Sequence, residues 1–68
     1  MAEQIKEAIM QLLNDPKISS YQIAKATGIS EPVLHKYRTG KSNVDNMTLG
    51  NALRLYRYYQ QHYQQLDE

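Results

Sequence analysis

Between Glu3 and Asn14 the apolar residues fall at Ile5, Ala8, Ile9, Leu12 and Leu13, with Lys6, Glu7 and Gln11 on the opposite side. Steps of three and four residues gather on one face of a helix, so this pattern predicts an amphipathic helix over 3–14. Pro16 ends it, because proline has no amide to donate and pushes the residue before it out of the helical region. Ile23, Ala24 and Thr27 repeat the spacing over two short turns, and Val33, Leu34 and Tyr37 do so again. A longer stripe, Leu49, Ala52, Leu53, Tyr56, Tyr59, Tyr63 and Leu66, runs along the rest of the chain. The pattern therefore predicts an all-α chain with helices over about 3–14, 20–27, 31–39 and 47–65.

The polar residues between these stripes say where each helix starts and stops. Ser19 and Gln22 form an S-x-x-Q capping box, and Ile18 before the cap is placed to pack on Ile23 as a hydrophobic staple. Gly28 stops this helix, since glycine takes the left-handed backbone that closes a helix end at no steric cost. Ser30 follows at once as a new cap, Glu31 suits the positive end of the helix dipole, and Pro32 falls in the first turn. Gly40 closes the third helix. Lys41 to Asn46 read as a loop, with Asp45 or Asn46 capping the fourth helix. Gly50 inside that helix costs about 1 kcal/mol relative to alanine, and is a place where close packing would need a glycine.

Two short helices joined by a tight glycine turn hold a fixed angle to each other, which is the definition of a helix-turn-helix. Ala24 must be small where the helices cross. Gly28 turns the backbone, and Ile23, Ile29 and Leu34 fill the wedge between them.

Sixty-eight residues make one domain, 1–68, that buries only about 60% of its unfolded surface. There is no cysteine, so no disulfide or thiolate metal site supports it, and this fits a reducing cytoplasm. No apolar run reaches the roughly 18 residues of a membrane span. The net charge of +1 hides an asymmetry. Residues 17–41 carry Lys17, Lys25, Lys36, Arg38 and Lys41 against Glu31, a balance of +4. The balance is −2 over residues 1–16 and −1 over 42–68. A basic centre between acidic flanks is the electrostatic footprint of a polyanion partner, or else a solvated face with none.

Catalysis and metal binding find no footing. No nucleophile sits in a motif, no carboxylates pair, no glycine-rich loop cradles a phosphate, and His62 has no potential ligand at i±4. We expect no enzyme, no metal and no cofactor. Tyrosine suits interfaces because it is apolar with a wet tip. Leu55, Tyr58, Tyr59, Tyr63 and Leu66 exceed what so small a core can cover, and are expected to form a dimer contact in preference to the alternative, a helix end that packs back on the first helix.

The run I-A-K-A-T-G-I-S-E-P-V-L-H-K-Y-R-T-G-K, with the later T-L-G-N-A-L-R-L, resembles the phage repressor and Cro-type (XRE-like) helix-turn-helix DNA-binding domains. The turn, the aliphatic six residues after the glycine, the tyrosine three further on and the G-K exit carry the likeness, which covers about residues 3–57. It implies a compact lambda-repressor-like domain of four to five helices. It also implies a recognition helix over 30–39 in the DNA major groove, whose outward residues read base edges. Those are Ser30, Glu31, Pro32, Val33, His35 and Lys36, with Glu31 and Pro32 standing where many relatives carry glutamine or arginine. Lys36 suits guanine, Glu31 cytosine N4, and Pro32 or Val33 a thymine methyl. Ser19, Ser20, Tyr21, Arg38, Lys41, Ser42 and Asn43 are the implied phosphate contacts. The implied partner is double-stranded DNA at a palindromic operator, bound by a homodimer formed free or on the DNA. The implied role is a small transcriptional repressor in the cytoplasm of a bacterial or phage-infected cell. The alternative is a protein-interaction module of the same fold, an antirepressor or antitoxin-like partner binder. Neither reading involves a membrane or a small-molecule substrate.

Overall fold

The core is made by side chains that each helix delivers from one face. Ile9, Leu12, Ile18, Ile23, Leu34 and Leu55 lose essentially all their exposure, and Leu13, Ile29, Val44, Met47 and Ala52 pack around them. The structure is a computed structural model and describes residues 3–64. Its elements are α1 (Glu3–Leu13), α2 (Ser20–Thr27), α3 (Glu31–Arg38), a 3-10 turn at Val44–Asn46, α4 (Leu49–Tyr59) and a wider π turn, Gln60–Gln64, that continues α4. α2 packs on α3, while α4 lies against both α1 and α2. The architecture is all-α, as expected.

The helix ends follow the polar signals closely in the first half of the chain. The Ser19 hydroxyl accepts from the Gln22 amide at 3.0 Å, and the Gln22 side chain accepts from the Ser19 amide at 2.9 Å, so the capping box is complete. Gly28 lies at φ 81° and donates its amide to the Ala24 carbonyl at 2.8 Å. Thr27 locks the same turn: its hydroxyl donates to Ile23 O at 2.7 Å and accepts from the Ile29 amide at 3.2 Å. Gly40 also takes a positive φ, 85°, where α3 hands over to the exit loop.

α4 differs from its sequence reading in start and phase. Its cap is Thr48, whose hydroxyl accepts from the Asn51 amide at 3.3 Å, rather than Asp45 or Asn46. Those two belong to the 3-10 turn, which Asn43 caps by accepting from the Asp45 amide at 2.9 Å. The buried face of α4 runs through Ala52 and Leu55, with Tyr58, Tyr59 and Tyr63 packed against the core. Leu49 and Leu53, expected inside, are 71% and 45% exposed. The reason lies in what packs beside it. Val44 and Met47 reach the core from the preceding turn, so α4 meets it with the face one step round. Among the described residues nothing lies within 4 Å of where a Cβ at Gly50 would sit, so close packing against them does not explain that glycine. Leu55 is wholly buried and cannot contribute to a dimer contact as expected. Leu66 lies outside the described residues.

The π turn is fastened to the far end of α1. The Tyr63 hydroxyl donates to the Asp15 carboxylate, and the Tyr59 and Tyr63 rings pack at a tilt of 42° with centres 4.9 Å apart. The hydrogen bond from Tyr63, with a second from the Lys17 amide, holds Asp15 below the usual carboxylate value of 3.8. Burial first, and the Asp15 hydrogen bond and charge next, push Tyr63 from 10 up to about 12.

Two predictions follow from this packing. Ala24→Leu crowds the crossing of α2 and α3, and should lower stability by roughly 1–3 kcal/mol in a urea titration. An unchanged midpoint would remove the tight crossing. The Asp15–Tyr63 pair sets the pH dependence. A carboxylate with a lowered folded pKa stabilises above its ordinary range, and that gain is lost as pH falls below 3.8. A phenol with a raised folded pKa stabilises below 10, and that gain is lost as pH climbs towards 12. Melting followed by circular dichroism should show an alkaline decline between these values that is smaller in Tyr63→Phe. Equal declines would place the latch elsewhere.

Candidate nucleic-acid interface

The helix-turn-helix sets the outer sides of α2 and α3 next to each other, and the candidate residues divide by what else they do. On α3, Ser30 occupies the cap position, but its hydroxyl makes no capping bond. Glu31, Pro32, His35 and Lys36 are exposed, and none of their side chains has a hydrogen-bond or ion-pair partner among the described residues. Val33 is half-buried against the core, so only part of it faces outward. The inner side of the helix, Leu34 above all, is held fast. α3 thus presents a row of uncommitted polar groups on a fixed support.

The implied phosphate contacts are less uniform. Ser19 is exposed at the start of α2 although its hydroxyl serves the capping box. Ser20 and Arg38 are joined: one guanidinium nitrogen of Arg38 donates to Ser20 Oγ at 3.2 Å, and the other to the Asp15 carbonyl at 2.8 Å. Arg38 therefore first braces the end of α3 to the start of α2 and the end of the α1 loop. Tyr21 is 60% exposed, and Lys25 stands over its ring at 5.9 Å. This pairing puts Lys25, which the sequence reading counts only as part of the basic stretch, beside the candidate contacts on the outward side of α2. Its signal was present, since positions four apart on a helix are neighbours.

The exit loop is drawn back to α3 by the Ser42 amide, which donates to the Lys36 carbonyl at 3.0 Å. Lys6 on α1 pairs with Asp45 at 3.0 Å and ties the loop to the body of the domain. Lys41 and Asn43 are exposed, and the carbonyl oxygen of Asn43 is committed to its turn while its amide nitrogen remains free to donate. Charge and donors are thereby concentrated at the ends of α2 and α3. Among the described residues no three His, Cys, Asp or Glu side chains gather to hold a metal ion, and no helix is long and apolar enough to cross a membrane.

A glycine-turned helix pair, a second helix with an uncommitted outer face and basic residues beside it define a helix-turn-helix DNA-binding domain. The chain belongs to the Cro/C1-type HTH DNA-binding domain family, whose model matches residues 8–66. The resemblance read from the turn and exit motifs is thus the family itself, and double-stranded DNA is the partner that membership implies. No curated protein and no solved structure matches the chain.

The brace generates a further prediction. Arg38→Ala should lower stability by about 1.5–3 kcal/mol, the range for hydrogen bonds made by a charged group. Arg38→Lys should not restore it, because an ammonium cannot span both acceptors as the planar fork does. Full rescue by lysine, read by urea denaturation, would reduce Arg38 to a point charge.

Proposed function

We propose that this domain binds a specific double-stranded DNA site as a small transcriptional repressor, with α3 in the major groove. The observation that carries the reading is the outer row of α3: Ser30, Glu31, Pro32, His35 and Lys36 are exposed and uncommitted on a helix whose other side is fixed in the core. Lys36 donates to guanine, Glu31 accepts from cytosine, and Pro32 with the exposed part of Val33 meets a thymine methyl. His35 serves either base or phosphate. Ser19, Ser20, Tyr21, Lys25, Lys41, Ser42 and Asn43 position the helix on the backbone, with Arg38 acting mainly through Ser20.

One recognition helix spans only a few base pairs, which gives limited selectivity against a genome of competing sites. Two copies on a palindrome, their recognition helices one turn of DNA or about 34 Å apart, supply the rest. We place this work in the cytoplasm of a bacterial or phage-infected cell, with residues 1–68 acting as one domain and no catalytic step. The alternative, a partner-binding module of the same fold, finds room in the modest net charge of +1 and in the tyrosine-rich end of the chain. That support is weakened, because Tyr58, Tyr59 and Tyr63 pack against the chain's own core.

Binding to a selected duplex, measured by fluorescence anisotropy at two salt concentrations, tests the reading. Affinity should fall steeply with salt as phosphate contacts release counterions. Lys36→Ala should cost about 1–3 kcal/mol on the selected site and relax preference at one base pair. Lys41→Ala should weaken all sequences alike and flatten the salt slope by about one. Salt-independent or absent binding would hand the function to the partner-binding alternative.

A further inference from the structure

The exit loop, whose Lys41, Ser42 and Asn43 meet the DNA backbone in the proposed reading, does not lie on a packed floor. Between it and α1 is a hollow of about 320 Å³, lined by Met10, Tyr37, Gly40 and Asn43 among others. Two points hold the arch over this hollow from its own ends. The Ser42 amide donates to the Lys36 carbonyl at 3.0 Å, and the Val44 side chain is buried in the core. A third point comes from across the molecule. Lys6 Nζ on α1 reaches the Asp45 carboxylate at 3.0 Å, joining residues 39 positions apart, and this is the ion pair present among the described residues. The Asp45 amide in turn donates to the Asn43 side chain at 2.9 Å, so the ion pair and a proposed phosphate contact share one turn.

We infer that Lys6 is a positioning residue for DNA binding: through Asp45 it sets the reach of the exit loop, and it offsets a carboxylate that would otherwise stand bare beside the DNA phosphates. The inference rests on the DNA-binding reading proposed above and adds to it a residue outside the helix-turn-helix. Geometry supplies the first half. Burial of Val44 fixes where the 3-10 turn sits, but one anchor leaves the turn free to swing about that point. With three residues per turn, Asp45 projects away from the inward direction of Val44, and its bond to Lys6 is the second anchor. Charge supplies the second half. Asp45 lies two residues from Asn43 with its side chain 52% exposed, so alone it would repel the phosphates that the loop is to meet. An exposed ion pair adds little to global stability, so its effect falls on the placement of the loop.

Placement and charge leave different signatures, because the pair is neutral as a whole. Lys6→Gln frees the loop and bares Asp45. Asp45→Asn frees the loop and removes the carboxylate. The two together free the loop at unchanged net charge. Were charge alone at work, the combined variant would bind DNA like the intact protein, and Asp45→Asn would bind more tightly. With placement at work, the combined variant should lose affinity several-fold. The loss should be equal on every duplex, because backbone contacts carry no sequence information. Lys6→Gln should bind more weakly still. Lys6→Arg, which keeps the pair, should bind like the intact protein.

Fluorescence anisotropy on the full chain, with a selected and a mixed-sequence duplex, reads these affinities, and circular dichroism confirms that each variant is folded. Two further readouts separate positioning from general loosening. In a Lys41→Ala background the combined change should cost less than in the intact loop, since part of what the tether positions is already gone. In a Lys36→Ala background it should cost as much as before, because Lys36 stands on α3. In the free protein, amide hydrogen exchange at Ser42 and Asp45 should quicken several-fold in the combined variant, while Ile23 and Leu34 keep their protection. Full affinity in the combined variant, equal costs in the two backgrounds, a loss confined to the selected duplex, failure of Lys6→Arg, or unchanged loop exchange each overturns the positioning role. The exchange measurement also keeps the two readings apart. Quickened loop exchange in a protein whose DNA binding is absent or independent of salt defeats the DNA reading and upholds the tether; salt-dependent binding that the combined variant retains in full defeats the positioning role alone.

Discussion

The angle between α2 and α3 depends on a single left-handed backbone position, Gly28 at φ 81°. Helices of eight residues are too short to persist alone in water, so each needs both its ends closed and its inner face buried. Gly28 does the first for α2 and aims the chain so that Ile29 and Leu34 accomplish the second for α3. Any other residue there would have to take a conformation that L side chains rarely adopt. The capping box at Ser19 and Gln22 and the Thr27 hydroxyl stiffen the same short path from both sides. The orientation of the outer row on α3 is thus a property of the core, fixed before any DNA is met.

The same dependence explains what could be read from the sequence. Ends of helices are set by local chemistry: Ser19, Gln22, Gly28 and Gly40 act as their residue types predict, while Ser30 takes the cap position without a capping bond from its hydroxyl. The phase of α4 is set by what surrounds it. Its apolar residues form one broad band, with Leu49 and Leu53 at one edge and Leu55 at the other, and periodicity alone cannot rank the edges. The ranking came from Val44 and Met47, which sit in a stretch that reads as polar loop yet fill the core just ahead of α4. Legibility of the candidate site splits similarly. The outer positions of α3 follow from the helix-turn-helix itself, whereas the bonds of Arg38 to Ser20 and to the Asp15 carbonyl join residues 18 and 23 positions apart and leave no local trace.

That brace also bears on how a domain this small divides its few charges. Lys17, Lys25, Lys36 and Lys41 remain on the surface of the basic stretch, while its one arginine turns inward to hold two elements together. A lysine buried there would lose much of its hydration for a single point contact, but the guanidinium bonds two acceptors at once and tolerates partial burial. A basic stretch thus serves cohesion as well as attraction. Its charge cannot be removed wholesale without loosening the fold that presents it.

The tyrosines show the reverse bargain. Six tyrosines and no phenylalanine or tryptophan make up the aromatic content, so any aromatic sent to the core brings a hydroxyl that needs a partner. Tyr63 finds one in Asp15 and Tyr59 one in Gln11 at 3.5 Å, both on or just beyond α1, so the rings cover the core while their tips stay hydrogen-bonded. The shift to a π turn at Gln60 widens the helix where these rings meet α1.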